Sequence, residues 1–568
     1  MKRLIPVIVA IILIIIIGAA TAGTIVFDKY SYSKERADLQ EYFGVQGNKL
    51  VILLQDEWIE EKAVLKDGSC YFDLNTVHKY FNDTFYVDEK EGLLLYALPT
   101  EVVKIVLGEP AIYRGGTVEQ CSYVPAYAEG GKVYLAAELV KQYTNFSYEV
   151  FDMRVQVYTE WGEKRVAVVK KDTEVRVKGG VKSPILRDIT MDEQVEVLER
   201  METWSKVKTA DAIIGYIENK CLSVEMIEQE TPVTDYVEPE YTTHQLDGKL
   251  CLGWHSIGGV GGNDTLWEMT ANAKSMNVIA PTWFSLCDNE GGYESFGSAD
   301  YVKNAHAMGL KVWGVLDDFN YDLAHKDITI DVGAVLSSTT NRTRLIEGVV
   351  QEALALGLDG INLDFEQETQ IQHYGEDYAQ FIRELSIQCR LNGLTFSIDN
   401  YVPYDYRSFY NLDVQGKVAD YVIIMGYDEH WHNSGDPGSV ASIGYVSYGI
   451  DKALEQVPKE KVVNALPFYS LQWKIDGAEV TDEYLTLANT RDFLNRIGKE
   501  GVWDEETGQL YVEWESGSSK YQIWVENEDS ILVKLNVMRA KDIAGVAVWR
   551  LGYGNAAVWE MISAYVNS

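Results

Sequence analysis

The feature that most constrains the fold is the alternation of short apolar runs with longer helical patterns from about residue 249 to the carboxyl end. Eight runs stand out: Leu250 to Trp254, Val278 to Phe284, Val312 to Leu316, Gly360 to Glu366, Phe396 to Asp399, Val422 to Asp428, Val462 to Phe468 and Ile543 to Trp549. Apolar runs of this length, each followed by a helical stretch, predict parallel strands with crossover helices, and eight of them in about 300 residues predict a β/α barrel. Between the seventh and eighth, residues 490–529 break the alternation. Gly508-Gln-Leu-Tyr-Val-Glu-Trp514 and Tyr521-Gln-Ile-Trp-Val525 around Gly517 predict an inserted hairpin walling one side of a cleft.

One strand carries chemistry. In Asp359-Gly-Ile-Asn-Leu-Asp-Phe-Glu366 every second side chain from Asn362 is polar, so Asn362, Asp364 and Glu366 share one face of a strand. A helical stretch from about Thr343 to Leu356 precedes it, and Gly357 can end that helix, which places the acids at the strand's carboxyl end. In a β/α barrel that end is the catalytic rim.

The rest of the chain divides into smaller pieces. Residues 1–28 hold Lys2 and Arg3 and then an uncharged run from Leu4 to Phe27, which at about 1.5 Å per residue spans a bilayer. Two fates fit: an uncleaved membrane anchor, or a signal removed near Ala20-Thr21-Ala22. In both, the basic flank stays inside and the chain after Asp28 is exported. Residues 45–160 repeat at an offset of about 63: Tyr71, Val77, Tyr80 and Asn82 fall on Tyr134, Val140, Tyr143 and Asn145. Each copy predicts a turn, a strand, a short helix and a hairpin, together an α+β repeat domain. Residues 164–223 are short and strand-rich. Residues 224–247 are polar, with Pro232 and Pro239, and predict an extended, mobile linker to the barrel at 248–568.

Composition narrows the partners. A formal charge of −36 over 568 residues disfavours nonspecific binding to nucleic acid or anionic lipid, and leaves neutral glycans and positively charged wall components open. Six scattered cysteines, with no CxxC, read as packing residues, with one or two disulfides left open. The close pair His430 and His432 lies in a Trp-containing loop and reads as a wet loop or cleft wall rather than a metal site. No phosphate loop or dinucleotide fingerprint occurs in a strand-to-helix context, so no cofactor is expected.

The acidic strand end, Met425-Gly-Tyr-Asp428 on the sixth run and Trp549 on the eighth together resemble glycoside hydrolase family 18, whose signatures are DGxDxDxE and MxYD. The resemblance covers roughly the last 320 residues. It implies retaining, metal-free, substrate-assisted hydrolysis, in which the sugar's 2-acetamido group acts as nucleophile. It assigns Glu366 as general acid and base, Asp364 as the group that orients the acetamido nitrogen, and Tyr427 as donor to the acetamido oxygen. Substrate contacts are expected from Asn362, Met425, Asp428, Trp549 and Tyr469, with no metal ligand. Asn362 departs from the fuller signature, which has Asp there. The third strand lacks the SxGG pattern of many chitinases, and Pro467-Phe-Tyr469, Trp473 and Trp524-Val-Glu526 look like the spore-germination and cortex-lytic branch, which acts on peptidoglycan. Residues 45–160 resemble a copper amine oxidase amino-terminal-like domain, without a histidine cluster for copper, and imply a stalk. Val175-Arg176, Val195-Glu-Val-Leu198, Trp204-Ser-Lys-Val207 and Gly215-Tyr-Ile217 resemble a bacterial Src-homology-3-like (SH3-like) barrel, a module often attached to wall-lytic enzymes. The function expected is a surface glycosidase cleaving β-linked N-acetylglucosamine in peptidoglycan or a related glycan. The alternatives are a chitinase and a catalytically silent, lectin-like glycan binder.

Overall fold

The computed structural model describes residues 5–319 and 330–568. Lys2, Arg3 and Leu4, which carry the expected basic flank, lie outside the described residues. Ile5–Tyr30 is one helix of 26 residues, long and apolar enough to cross a membrane.

The chain divides into two compact units. Both copies of the repeat show the expected element order. Ser69–Asp73 leads into the helix Leu74–Tyr80 and the hairpin Tyr86–Asp88 with Leu93–Ala97; Lys132–Ala136 leads into the helix Ala137–Gln142 and the hairpin Ser147–Phe151 with Arg154–Tyr158. Asp73 caps the first helix by accepting from the Thr76 amide. The second hairpin joins the first unit's seven-stranded sheet through a parallel pairing of Val51–Leu54 with Arg154–Val157. The first hairpin groups elsewhere: Tyr86–Lys104 and Tyr113–Thr117, expected within the 45–160 stalk, cluster with the carboxy-terminal unit. There the Tyr86 hydroxyl accepts from Arg342, whose fully buried guanidinium is also paired with Glu384 at 3.0 Å.

The first unit also holds a second seven-stranded antiparallel sheet built from Glu163–Val168, Thr173–Arg176, Ile185–Ile189, Gln194–Arg200, Trp204–Thr209, Ile214–Glu218 and Met226–Gln229. Met226–Gln229 corrects the linker reading. It is an edge strand, paired with Glu163–Val166, rather than mobile chain. At the far end of the same stretch, the His244 amide donates to Asp420 and the Leu246 amide to the Tyr421 hydroxyl, so these residues are held by the carboxy-terminal unit.

That unit is the expected barrel. Its parallel strands are β1 (Leu250–His255), β2 (Val278–Leu286), β3 (Lys311–Asp317), β4 (Gly360–Asp364), β5 (Thr395–Tyr401), β6 (Tyr421–Met425), β7 (Val462–Pro467) and β8 (Gly545–Trp549). Each pairs with the next in sequence, except that β7 meets β8 across an insertion and β1 closes the ring on β8. The helix Thr339–Leu356 is capped by Ser338 and ends at Gly357, whose φ of 78° needs a residue without a Cβ clash. The helix thus begins one turn before the expected Thr343. β4 and β6 end earlier than expected, so Glu366, Tyr427 and Asp428 stand just beyond their strands.

The insertion is larger than a hairpin. It begins at Tyr469 and forms a five-stranded antiparallel sheet, in order Glu479–Thr486, Tyr469–Asp476, Ser519–Val525, Gln509–Ser516 and Val502–Asp504, with a helix at Thr490–Ile497. Its base is fixed by Glu526. That carboxylate is fully buried and accepts from Lys534 at 2.8 and 3.1 Å, from Gln509 at 2.6 Å and from the Ser530 hydroxyl at 2.7 Å. Removing the cation alone would strand a buried charge. Lys534→Met is therefore expected to cost about 3–5 kcal/mol in denaturant unfolding of this unit, whereas Lys534→Met with Glu526→Gln costs clearly less.

Candidate active site

The parallel register of β4 and β5 sets Gly360 beside Thr395, Asn362 beside Ser397 and Leu363 beside Ile398. With period two, Ser397, Asp399 and Tyr401 then line up with Asn362, Asp364 and Glu366. Side-chain hydrogen bonds follow that alignment. Asn362 donates through Nδ2 to Ser397 Oγ and Asp399 Oδ1, both at 2.9 Å, and Tyr401 donates its hydroxyl to Glu366 Oε2 at 2.5 Å.

β3 supplies the support on the other side. Asp318 accepts from the backbone amides of Glu366 at 2.9 Å and Gln367 at 3.0 Å, which pins the turn that aims the Glu366 side chain. Asp317 accepts from Ser285 Oγ at 2.8 Å. Burial raises the Asp317 carboxyl to about 7 and that of Asp318 to about 6.

The two acids of β4 are strongly perturbed. Asp364 is buried, its Oδ1 has no partner, and burial followed by the charges of Glu366, Asp399, Asp317 and Asp318 holds its carboxyl well above the ordinary range. Glu366 is half-buried as a residue and its carboxyl is raised to about 7, chiefly by burial, with Asp318 and Asp428 adding to the rise and the Tyr401 hydroxyl opposing it. A carboxyl poised near neutrality can be a proton donor and, after transfer, a base.

β6 and β8 bring the other expected residues. Tyr427 is buried, and its ring lies 6.4 Å from that of Tyr469 at 70°. Gly426 leaves room for this turn, because a Cβ there would sit 2.6 Å from Asn464 Oδ1 and 3.0 Å from the Ala465 carbonyl. Asp428, in a left-handed conformation, accepts from the Tyr469 hydroxyl, so its partner is Tyr469. Trp549 is half-buried, with its ring 6.1 Å from that of Trp254.

Three of the expected substrate contacts are buried. Asn362 is fully buried, and its oxygen accepts from Trp254 Nε1 at 2.9 Å, so the side chain is spent on barrel packing rather than on sugar. Met425 is 3% exposed within the hydrophobic core. Tyr469 is also buried, and its hydroxyl donates to Asp428. The paired histidines diverge: His432 meets Asp482 at 2.5 Å and His430 the Asp436 carbonyl at 3.0 Å.

Sequence reading passed over Asp399 and Tyr401. Their signal was the same polar alternation on the next strand, Ser397-x-Asp399-x-Tyr401, which gains meaning only once the register is known. Tyr401→Phe removes a hydrogen bond that favours ionised Glu366. Its carboxyl is expected to titrate at higher pH than in the parent, read by carbon-13 NMR of labelled glutamate, and the basic limb of any activity profile should move up with it.

Comparisons with known proteins agree with this architecture. The family described as glycosyl hydrolases family 18 matches residues 331–554, which takes in β4 to β8, and the bacterial SH3 domain family matches residues 171–223. The "Uncharacterized glycosylase YvbX" of Bacillus subtilis is 25% identical over 302 residues, 50% of this chain and 84% of that protein. The "Cortical fragment-lytic enzyme" of Bacillus anthracis is 24% identical over 245 residues, 40% of this chain and 54% of that protein, so the match spans about half of that relative's length. A chitinase from Chromobacterium violaceum shares the fold with a TM-score of 0.50 and 23% identity, covering 56% of this chain and 99% of that one. A family 18 glycoside hydrolase domain and a bacterial SH3 domain are thus both found in this chain, and they support a glycoside hydrolase.

Proposed function

We propose that this protein is a membrane-anchored, outward-facing glycosidase that cleaves β-linked N-acetylglucosamine in peptidoglycan or a related glycan with retention. The observation that carries the reading is the placement of Glu366 and the buried Asp364 at one strand end, with the Glu366 amide held by Asp318 and its carboxylate by the Tyr401 hydroxyl, where burial raises both carboxyls. A single acid of that kind suffices when the substrate's acetamido group supplies the nucleophile.

In this reading Glu366 protonates the glycosidic oxygen as the bond to the anomeric carbon breaks. The acetamido oxygen closes on that carbon, giving an oxazolinium ion. Asp364 accepts from the acetamido N–H and offsets the positive charge, and the Tyr427 hydroxyl donates to the acetamido oxygen to hold it in line for attack. Ionised Glu366 then takes a proton from water as it opens the ring, and the acid is restored. Trp549 offers a ring face to the sugar, while Asp428, steadied by Tyr469, and Tyr401 keep the surrounding polar groups in place. The relatives named for cortical fragment lysis favour peptidoglycan, and the SH3 domain and the helix Ile5–Tyr30 favour a wall-facing, anchored location. The part of residues 45–160 that groups with the amino-terminal unit, without Tyr86–Lys104 and Tyr113–Thr117, serves as a stalk.

The test is product analysis after incubation of the full chain with purified peptidoglycan and with chitin oligosaccharides, beside Glu366→Gln. New N-acetylglucosamine reducing ends from peptidoglycan, reduced by at least about 10²-fold in Glu366→Gln, are the expected result. Cleavage of chitin oligosaccharides alone would replace the substrate assignment. Equal glycan binding by both proteins with no cleavage would identify a lectin.

A further inference from the structure

Asp399 is 1% exposed on β5, and its two oxygens differ. Oδ1 accepts from Asn362 Nδ2 at 2.9 Å, whereas Oδ2 is buried and has no partner. Across the strand pair, Asp364 presents the matching defect in its unpartnered, buried Oδ1. By the register that sets Leu363 beside Ile398, these two acids come next to each other on the same face.

The groups that face the pair are of one sign or neutral. Glu366 lies on the same face, Asp317 and Asp318 approach from the end of β3, Tyr427 from the end of β6 and Tyr378 from the helix Gly375–Leu391. Among the described residues no lysine, arginine or histidine forms an ion pair with Asp364 or Asp399. Two carboxylates buried together without a cation cannot both be ionised at ordinary cost, and each leaves one buried oxygen without a partner.

We propose that Asp399 is a positioning residue that holds a proton for Asp364, the two acids carrying one proton between Asp364 Oδ1 and Asp399 Oδ2. The proton stays on Asp399 while Asp364 stands ionised toward the substrate, and is shared again when the site empties. The pair keeps a charge of −1 throughout, with no proton taken from solvent. Asn362 has its place in this arrangement. It fixes the carboxyl plane of Asp399 through Oδ1 and is itself held by Trp254 and Ser397, so the carboxyl missing at position 362 is supplied from the neighbouring strand. The role rests on the proposed hydrolytic function of Glu366 and Asp364.

The test uses the full chain in detergent, labelled with carbon-13 at the aspartate side-chain carboxyl, with Asp399→Asn and the exchanged pair Asn362→Asp/Asp399→Asn. Infrared difference spectra at about pH 9, above the titration of Asp317 and Asp318, read the C=O stretch of protonated aspartate without turnover. The expected result is a protonated aspartate in the parent that Asp399→Asn loses and the exchanged pair regains. With a fluorogenic N-acetylglucosamine oligomer, kcat should fall about tenfold or more in Asp399→Asn, with KM changed less than about threefold, a displaced pH profile, and recovery in the exchanged pair. The proposal is overturned if Asp399→Asn leaves both the infrared band and the pH profile unchanged. It is also overturned if the parent shows no protonated aspartate. If Asp399→Asn does not fold, the parent spectrum and the exchanged pair still decide. A parent that cleaves no N-acetylglucosamine glycan, yet shows the shared proton, contradicts the hydrolytic reading and leaves the proton assignment standing.

Discussion

The pairing of β4 with β5 is the interaction on which the rest of the site depends. A parallel register fixed by barrel closure aligns three polar positions on each strand, and side-chain hydrogen bonds run across that alignment at both ends. A slip of one residue would turn Asn362, Asp364 and Glu366 into the helical layer and bring Leu363 and Phe365 inward. The ring closure of β1 on β8 removes any sheet edge at which such a slip could be relieved.

The site works by opposition between burial and a few donors. Burial pushes every carboxyl at this rim upward, and each receives a different amount of compensation. Asp318 accepts two backbone amides and is raised to about 6, while Asp317 accepts a serine hydroxyl and one amide and reaches about 7. Glu366 accepts a tyrosine hydroxyl and is also held at about 7, whereas Asp364 keeps an unpartnered oxygen and is held well above its ordinary value. The same supports serve geometry. The Asp318 contacts that moderate its own charge are those that pin the turn carrying Glu366, and the Tyr401 hydroxyl that steadies Glu366 belongs to a ring covered by Arg407 at 4.9 Å. Arg407 is paired in turn with Glu368, two residues beyond the acid.

The strands of the barrel were legible because a buried parallel strand is an apolar run, and such runs need no partner to be seen. The acids of β4 were legible for the opposite reason, as polar side chains at period two where an apolar strand ends. What one strand does to another was not. Asp399 and Tyr401 look like ordinary polar residues until the register sets them against Asn362 and Glu366. Asn362 and Met425 carry family positions, yet burial directs both into packing, which a motif does not reveal. The insertion is legible in the sequence only from residue 490, because its first strands, Tyr469–Asp476 and Glu479–Thr486, mix apolar and charged residues without a clear break after β7. Met226–Gln229 looks like linker in the sequence because an exposed edge strand has no apolar face to advertise it.

The central claim is that this rim is built to hold a neutral acid over an N-acetyl sugar whose own amide attacks. Calorimetric binding of an N-acetylglucosamine-derived thiazoline, a stable mimic of the cyclised intermediate, tests it most directly. The account predicts saturable one-to-one binding that weakens markedly in Asp364→Asn and Tyr427→Phe. No binding by a protein that cleaves N-acetylglucosamine glycans, or binding indifferent to both substitutions, would contradict it.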